Sequence, residues 1–163
     1  MSQAEGPRDP SGGAPVDQAE ARVEADRSLV AAALQVRARA YAPYSGYRVG
    51  AALRAEGGEV ISAANVENAS YGLTICAERV AVAAAVAAGH RRFEAVAVAA
   101  DGTEPASLCG ACRQVLREFP AGPGLRVLLA GESGEGFVVT TLGELLPDSF
   151  GPERLGRGPG GGP

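Results

Sequence analysis

The residue types best suited to chemistry in this chain are its three cysteines, Cys76, Cys109 and Cys112, together with Glu78. They fall into two short runs, Cys76-Ala77-Glu78 and Cys109-Gly110-Ala111-Cys112. An odd cysteine count that includes a C-x2-C pair favours metal or redox use over a disulfide framework. Three thiolates supply a zinc ion with three protein ligands and leave its fourth position open. A closed zinc site holds structure, whereas an open one binds and activates water. Glu78 beside such a water can accept its proton and deliver it to a substrate nitrogen. Three thiolates outweigh the charge of the metal and weaken its pull on that water. Arg79 and Arg113 each directly follow a motif element, and both are candidates to offset this charge by donating hydrogen bonds to sulfur.

The rest of the composition removes other chemistries. All fifteen basic residues are arginine. Without lysine there is no Schiff base, no pyridoxal phosphate anchor and no P-loop cation. His90 is the only histidine, so Ser-His-Asp and Cys-His mechanisms have a single candidate base. A net charge of −4 argues against a nucleic-acid partner, which needs a basic face, but not against one uncharged nucleoside. His90 as a fourth ligand would close the metal site and make the protein a structural zinc module. It follows Gly89 and precedes Arg91-Arg92, however, and reads as an exposed helix end. With no apolar run of about 18 residues and no apolar stretch near the N-terminus, the expectation is a cytoplasmic protein without a membrane partner.

The elements that must position these groups follow from periodicity. Residues 1–21 carry Pro7, Pro10, Pro15, Gly12 and Gly13 and are expected to be a disordered tail. Residues 151–163, rich in Gly and Pro, are expected to be a second one. One domain over 22–150 lies between them. Leu29, Ala33, Val36 and Ala40 repeat at helical spacing and predict a helix over 22–40, ending before Pro43. Strands are predicted at 48–54 and 60–66 around the Gly57-Gly58 turn. A helix capped by Thr74 should then run to Gly89. A buried strand at 95–100 precedes a helix from Cys109 to Pro120, and strands at 125–130 and 137–141 complete the order. Both halves of the cysteine pattern thus fall at helix starts, where free N–H groups and the positive dipole end favour thiolate. The α-β-β-α-β-α-β-β order predicts one five-stranded sheet covered by helices.

Several longer stretches carry a resemblance. Tyr41-Ala-Pro-Tyr-Ser-Gly-Tyr-Arg-Val-Gly-Ala-Ala-Leu53, Asn65-Val-Glu-Asn-Ala69, Cys76-Ala-Glu-Arg79 and Cys109-Gly-Ala-Cys-Arg-Gln114 resemble the small, homotetrameric cytidine deaminases over about residues 25–150. The resemblance implies an α/β/α sandwich around a five-stranded mixed sheet. It also implies one zinc per subunit on Cys76, Cys109 and Cys112, and hydrolysis of cytidine and deoxycytidine to uridine and deoxyuridine with release of ammonia. In that family hydroxide on the zinc attacks C4, and Glu78 matches the residue that shuttles the protons.

Asn65 and Glu67 match the pair that holds the ribose 3′-hydroxyl. Their i, i+2 spacing puts an amide and a carboxylate on one side of an extended segment. Tyr47 matches an aromatic, usually Phe, that packs on the base. The backbone N–H of Ala77 is expected to bind the pyrimidine O2. Phe150 matches an aromatic reaching the base from a neighbouring subunit, and Tyr71 an interface aromatic. The family normally has Pro where Leu108 stands, so the resemblance implies a looser Ser107-Leu108 segment, with the Ser107 carbonyl in the region facing the departing ammonia. Blasticidin-type deaminases share the cysteine motifs, but Asn65-Val-Glu67 and the stretch 41–53 favour a plain nucleoside.

Overall fold

The computed structural model describes residues 14–158. Helix α1 spans Ala14–Arg37, strands β1 Val49–Ala55 and β2 Val60–Ala64, and helix α2 Ala77–Ala87. Strand β3, Phe93–Ala100, leads to helix α3, Gly110–Arg117. Strands β4 Arg126–Ala130 and β5 Val138–Thr141 are followed by a short helix α4, Leu142–Leu145. The five strands form one sheet in the order β2-β1-β3-β4-β5. Only β3 and β4 run parallel; the other pairs are antiparallel. The expected mixed sheet is the one observed.

Strand alternation builds two cores. Ala51, Leu53, Val96, Val98, Val127 and Leu129 face α2, α3 and α4. Ala52, Ala95, Ala97, Ala99, Leu128 and Ala130 face α1. Side chains two apart share a sheet face, so β1, β3 and β4 serve both layers and the molecule is an α/β/α sandwich. The α1 face is lined largely by alanine, which lets the helix sit close. At Gly50 the approach is closest: a Cβ there would lie 2.0 Å from the Ala33 carbonyl oxygen and 2.7 Å from the Arg37 nitrogen. Arg126 from β4 forms two bonds, of 2.8 and 2.6 Å, to the buried Asp26 on α1.

Several boundaries differ from the sequence reading. Helix α1 begins at Ala14 instead of residue 22, so part of the expected N-terminal tail is helical. Pro15 lies in its first turn, where no amide hydrogen is needed. The helix ends at Arg37, three residues early, and Arg37 donates to the Ala100 carbonyl across the end of β3. Thr74 does not cap α2. It closes a 3-10 turn at Tyr71–Leu73, and Cys76 is the N-cap. The chain also stays packed beyond residue 150. Gly151 and Pro152 are buried, and Pro152–Leu155 forms a 3-10 turn clasped by Arg117 through Glu153. The expected tail over 151–158 is therefore partly folded; residues 1–13 and 159–163 lie outside the described residues.

Candidate active site

Two helix starts meet behind one cavity. Cys76 is the N-cap of α2 and Cys109 the N-cap of α3, both with extended backbone. Cys112 sits in the first turn of α3 and donates its N–H to the Cys109 sulfur at 3.5 Å. The Cys76 and Cys109 sulfurs are 3.9 Å apart, and those of Cys109 and Cys112 are 3.4 Å apart. All three lie within 4.8 Å of one another. Tetrahedral zinc with bonds of about 2.3 Å to sulfur would separate its ligands by about 3.8 Å, so the donor set fits the ion.

The electrostatics point the same way. The Cys76 thiol is lowered to about 5, first by its hydrogen bond with Cys112, with Arg79 and Cys109 adding to this against the cost of burial. Cys112 is pushed up by that same bond, by burial and by the Glu78 charge. Sulfurs this close share protons, and a divalent cation takes the place of those protons when it binds. Zinc is the cofactor this cluster suits.

Glu78 is on the first turn of α2 and only 4% exposed. Burial chiefly, with the neighbouring Cys76 charge, raises its carboxyl above the ordinary range. Such a group takes up and returns a proton near neutrality more readily than a solvated glutamate. Ala77, fully buried, is the first residue of α2, where the N–H has no carbonyl one turn back to accept it. Arg79 donates to the Thr74 carbonyl at 3.1 Å and approaches the Cys76 sulfur at 4.0 Å, as expected for a donor offsetting thiolate charge. Arg113 makes no bond to sulfur. It donates to the Leu108 carbonyl at 2.8 Å, the Leu145 carbonyl at 2.6 Å and the Ser107 hydroxyl at 3.1 Å. Leu108 itself is 2% exposed and packs in the core. The segment expected to loosen without proline is thus pinned by Arg113 and by burial.

A cavity of about 240 Å³ opens in front of Cys76, Cys109 and Glu78. Tyr47, Asn65 and Glu67 also line it, with Ser45, Thr74 and Ser107. The Asn65 amide accepts from the Val49 N–H at 2.8 Å and donates to the Tyr47 carbonyl at 3.0 Å, fixing the entry to β1. Glu67 accepts from the N–H groups of Tyr44 and Ser45 at 2.8 and 3.2 Å and from the Ser45 hydroxyl. Of these wall residues, Thr74 was read from sequence only as a helix cap and Ser107 only through its carbonyl, while Ser45 was not singled out; a serine in a Tyr-Ser-Gly turn carries no signal beyond turn preference. Phe150, 58% exposed, does not line the cavity of its own chain. Tyr71, 74% exposed, stacks edge-on against Tyr44, with ring centroids 5.7 Å apart. His90 lies at the opposite end of α2 and pairs with Glu59 at 3.0 Å, which removes it as a fourth ligand.

Fold and site together define a zinc hydrolase of the class in which a glutamate outside the ligand set handles the protons. Residues 23–123 match the family described as the cytidine and deoxycytidylate deaminase zinc-binding region, and the chain belongs to that family. It is 46% identical over 127 residues to a cytidine deaminase of Sporosarcina psychrophila, covering 78% of this chain and 92% of the relative. With a cytidine deaminase of Halalkalibacterium halodurans it shares 48% over 128 residues, covering 78% and 95%. A solved cytidine deaminase structure from Burkholderia pseudomallei superposes with a TM-score of 0.71 at 49% identity, covering 76% of this chain and 97% of the other.

Proposed function

We propose that this chain is a cytidine deaminase that converts cytidine and deoxycytidine, with water, to uridine or deoxyuridine and ammonia. The observation that carries the reading is the buried, raised carboxyl of Glu78 facing the same cavity as the three-cysteine cluster. Zinc held by Cys76, Cys109 and Cys112 would make water nucleophilic at neutral pH. Glu78 accepts the proton released as water adds to C4 of the pyrimidine and passes it to N3. A second proton transfer, to the exocyclic nitrogen, lets the C4–N bond break and ammonia leave while the new C4 carbonyl forms. The Ala77 N–H is the donor for the O2 carbonyl, Tyr47 is the wall for the base, and Asn65 with Glu67 takes the sugar.

Pyrimidine salvage is the matching role, in a reducing cytoplasmic compartment where three free thiolates persist as ligands. Among the described residues, no helix is long and apolar enough to cross a membrane. A homotetramer is proposed as the working form. Support comes from Tyr71, Leu73, Val66 and Ile75, all more than 40% exposed, and from Phe150, which is exposed and does not line its own chain's cavity.

The test is the loss of cytidine absorbance with native protein beside Glu78→Gln at equal zinc content. Native protein is expected to turn over cytidine, and the variant to be slower by about a hundredfold to ten-thousandfold. Equal rates would remove Glu78 from the chemistry. No turnover by the native protein would remove the deaminase reading.

A further inference from the structure

The two polar groups read as the sugar site are already largely engaged by the chain itself. Glu67 Oε2 accepts two backbone N–H groups, from Tyr44 and Ser45, and Oε1 accepts the Ser45 hydroxyl. Asn65 spends Oδ1 on the Val49 N–H and one amide hydrogen on the Tyr47 carbonyl. A carboxylate oxygen takes about two donors, and an amide offers two hydrogens and two lone pairs. What remains is one acceptor position on Glu67 Oε1, one on Asn65 Oδ1 and one N–H of Asn65, on two residues that line the cavity. The Glu67 acceptor and the Asn65 N–H together suit a single hydroxyl, which donates once and accepts once.

Ser45 decides which way this arrangement is polarised. The Tyr47 N–H donates to Ser45 Oγ at 2.9 Å, so the hydroxyl hydrogen is left to point at Glu67 Oε1. The relay runs in one direction, from the Tyr47 amide through Ser45 to the carboxylate. It keeps Glu67 ionised, and its carboxyl lies below the ordinary range chiefly because of Ser45. It also ties the carboxylate that meets the sugar to the backbone of the aromatic that meets the base. We propose that Ser45 is a positioning residue that orients Glu67 as the acceptor for one sugar hydroxyl and couples it to Tyr47, making hydroxyl selection a property of the Tyr44–Tyr47 turn. The proposal rests on the nucleoside reading above and adds a residue to it.

The test compares kcat/KM for cytidine and for 2′,3′-dideoxycytidine, which lacks the 2′- and 3′-hydroxyls and keeps the 5′-hydroxyl, in native protein, Ser45→Ala and Ser45→Thr, each with matched zinc content and melting temperature recorded. A hydrogen bond to a charged group sets the scale. Ser45→Ala is expected to lose about tenfold on cytidine and about twofold or less on the dideoxy analogue. Ser45→Thr, which keeps the hydroxyl, is expected to recover most of the cytidine loss. Equal losses of Ser45→Ala on both substrates would mark a merely structural serine and overturn the proposal, as would no loss on either. Native turnover of cytidine with no preference over the dideoxy analogue would overturn the hydroxyl site while leaving the deaminase reading intact. Absence of native turnover on both would overturn both.

Discussion

Glu78 and Glu67 line one cavity, and their surroundings shift them in opposite directions. Glu78 is raised by burial, while Glu67 is lowered, first by the Ser45 hydroxyl and then by the Tyr44 N–H. One carboxylate is therefore suited to move protons and the other to stay charged and hold a hydroxyl. For Glu67 the pH consequence follows from its sign. Its carboxyl is lower in the folded protein than in the unfolded chain, so the ionised form is fully present above the ordinary carboxylate value. It is lost only as the pH falls through the lowered one. The KM for cytidine is accordingly expected to stay flat on acidification through the ordinary carboxylate range and to rise below it. In Ser45→Ala the rise should begin at higher pH. A KM that climbs at the same pH in both proteins would separate Glu67 ionisation from Ser45.

Among the elements, α1 and α3 show how far residues lead and where they stop. The contact of α1 with β1 depends on Gly50, because any side chain there would meet helix backbone that cannot turn aside. Overpacking typically costs about 1–3 kcal/mol, and a clash with backbone belongs at the top of that range. Gly50→Ala is therefore expected to lower Tm by about 6–12 °C, measured by thermal unfolding at fixed zinc. An unchanged Tm would mean that α1 rides loosely on the sheet. The strands and the metal motif were legible because period-two alternation and cysteine spacing are local signals. The C-terminal boundary was not. Gly151 and Pro152 read as tail residues, yet glycine is there because a Cβ would strike the Arg117 guanidinium at 2.4 Å. That guanidinium is buried against Ser149 and Glu153. Arg113 was misassigned for a similar reason: proximity in sequence to Cys112 suggested sulfur, while its partners came from Leu108 and Leu145, the latter 32 positions away. Short helix α4 left a trace that could have been read, since Thr141 and Glu144 form a capping box.

On the scale of the whole molecule, the proposed assembly turns on Phe150, which does not line the cavity of its own chain. Gln114 of α3 donates to the Phe150 carbonyl at 2.9 Å, and Arg117 holds residues on either side of it. The backbone of Phe150 is thus fixed while its ring remains exposed, the arrangement of a group made ready for a partner. If Phe150 serves a neighbouring copy, two variants each defective alone should complement one another. Phe150→Ala subunits retain Glu78 but lack the ring to offer, and Glu78→Gln subunits retain the ring but cannot move the proton. In mixed oligomers formed by co-expression, half of the subunits would keep Glu78, and half of the copies facing them would bring Phe150. Activity of about a quarter of native is then expected, well above the average of the two variants measured separately. A mixture no more active than that average would place Phe150 within its own subunit's function, and the reason for its exposure would have to be sought elsewhere on the surface.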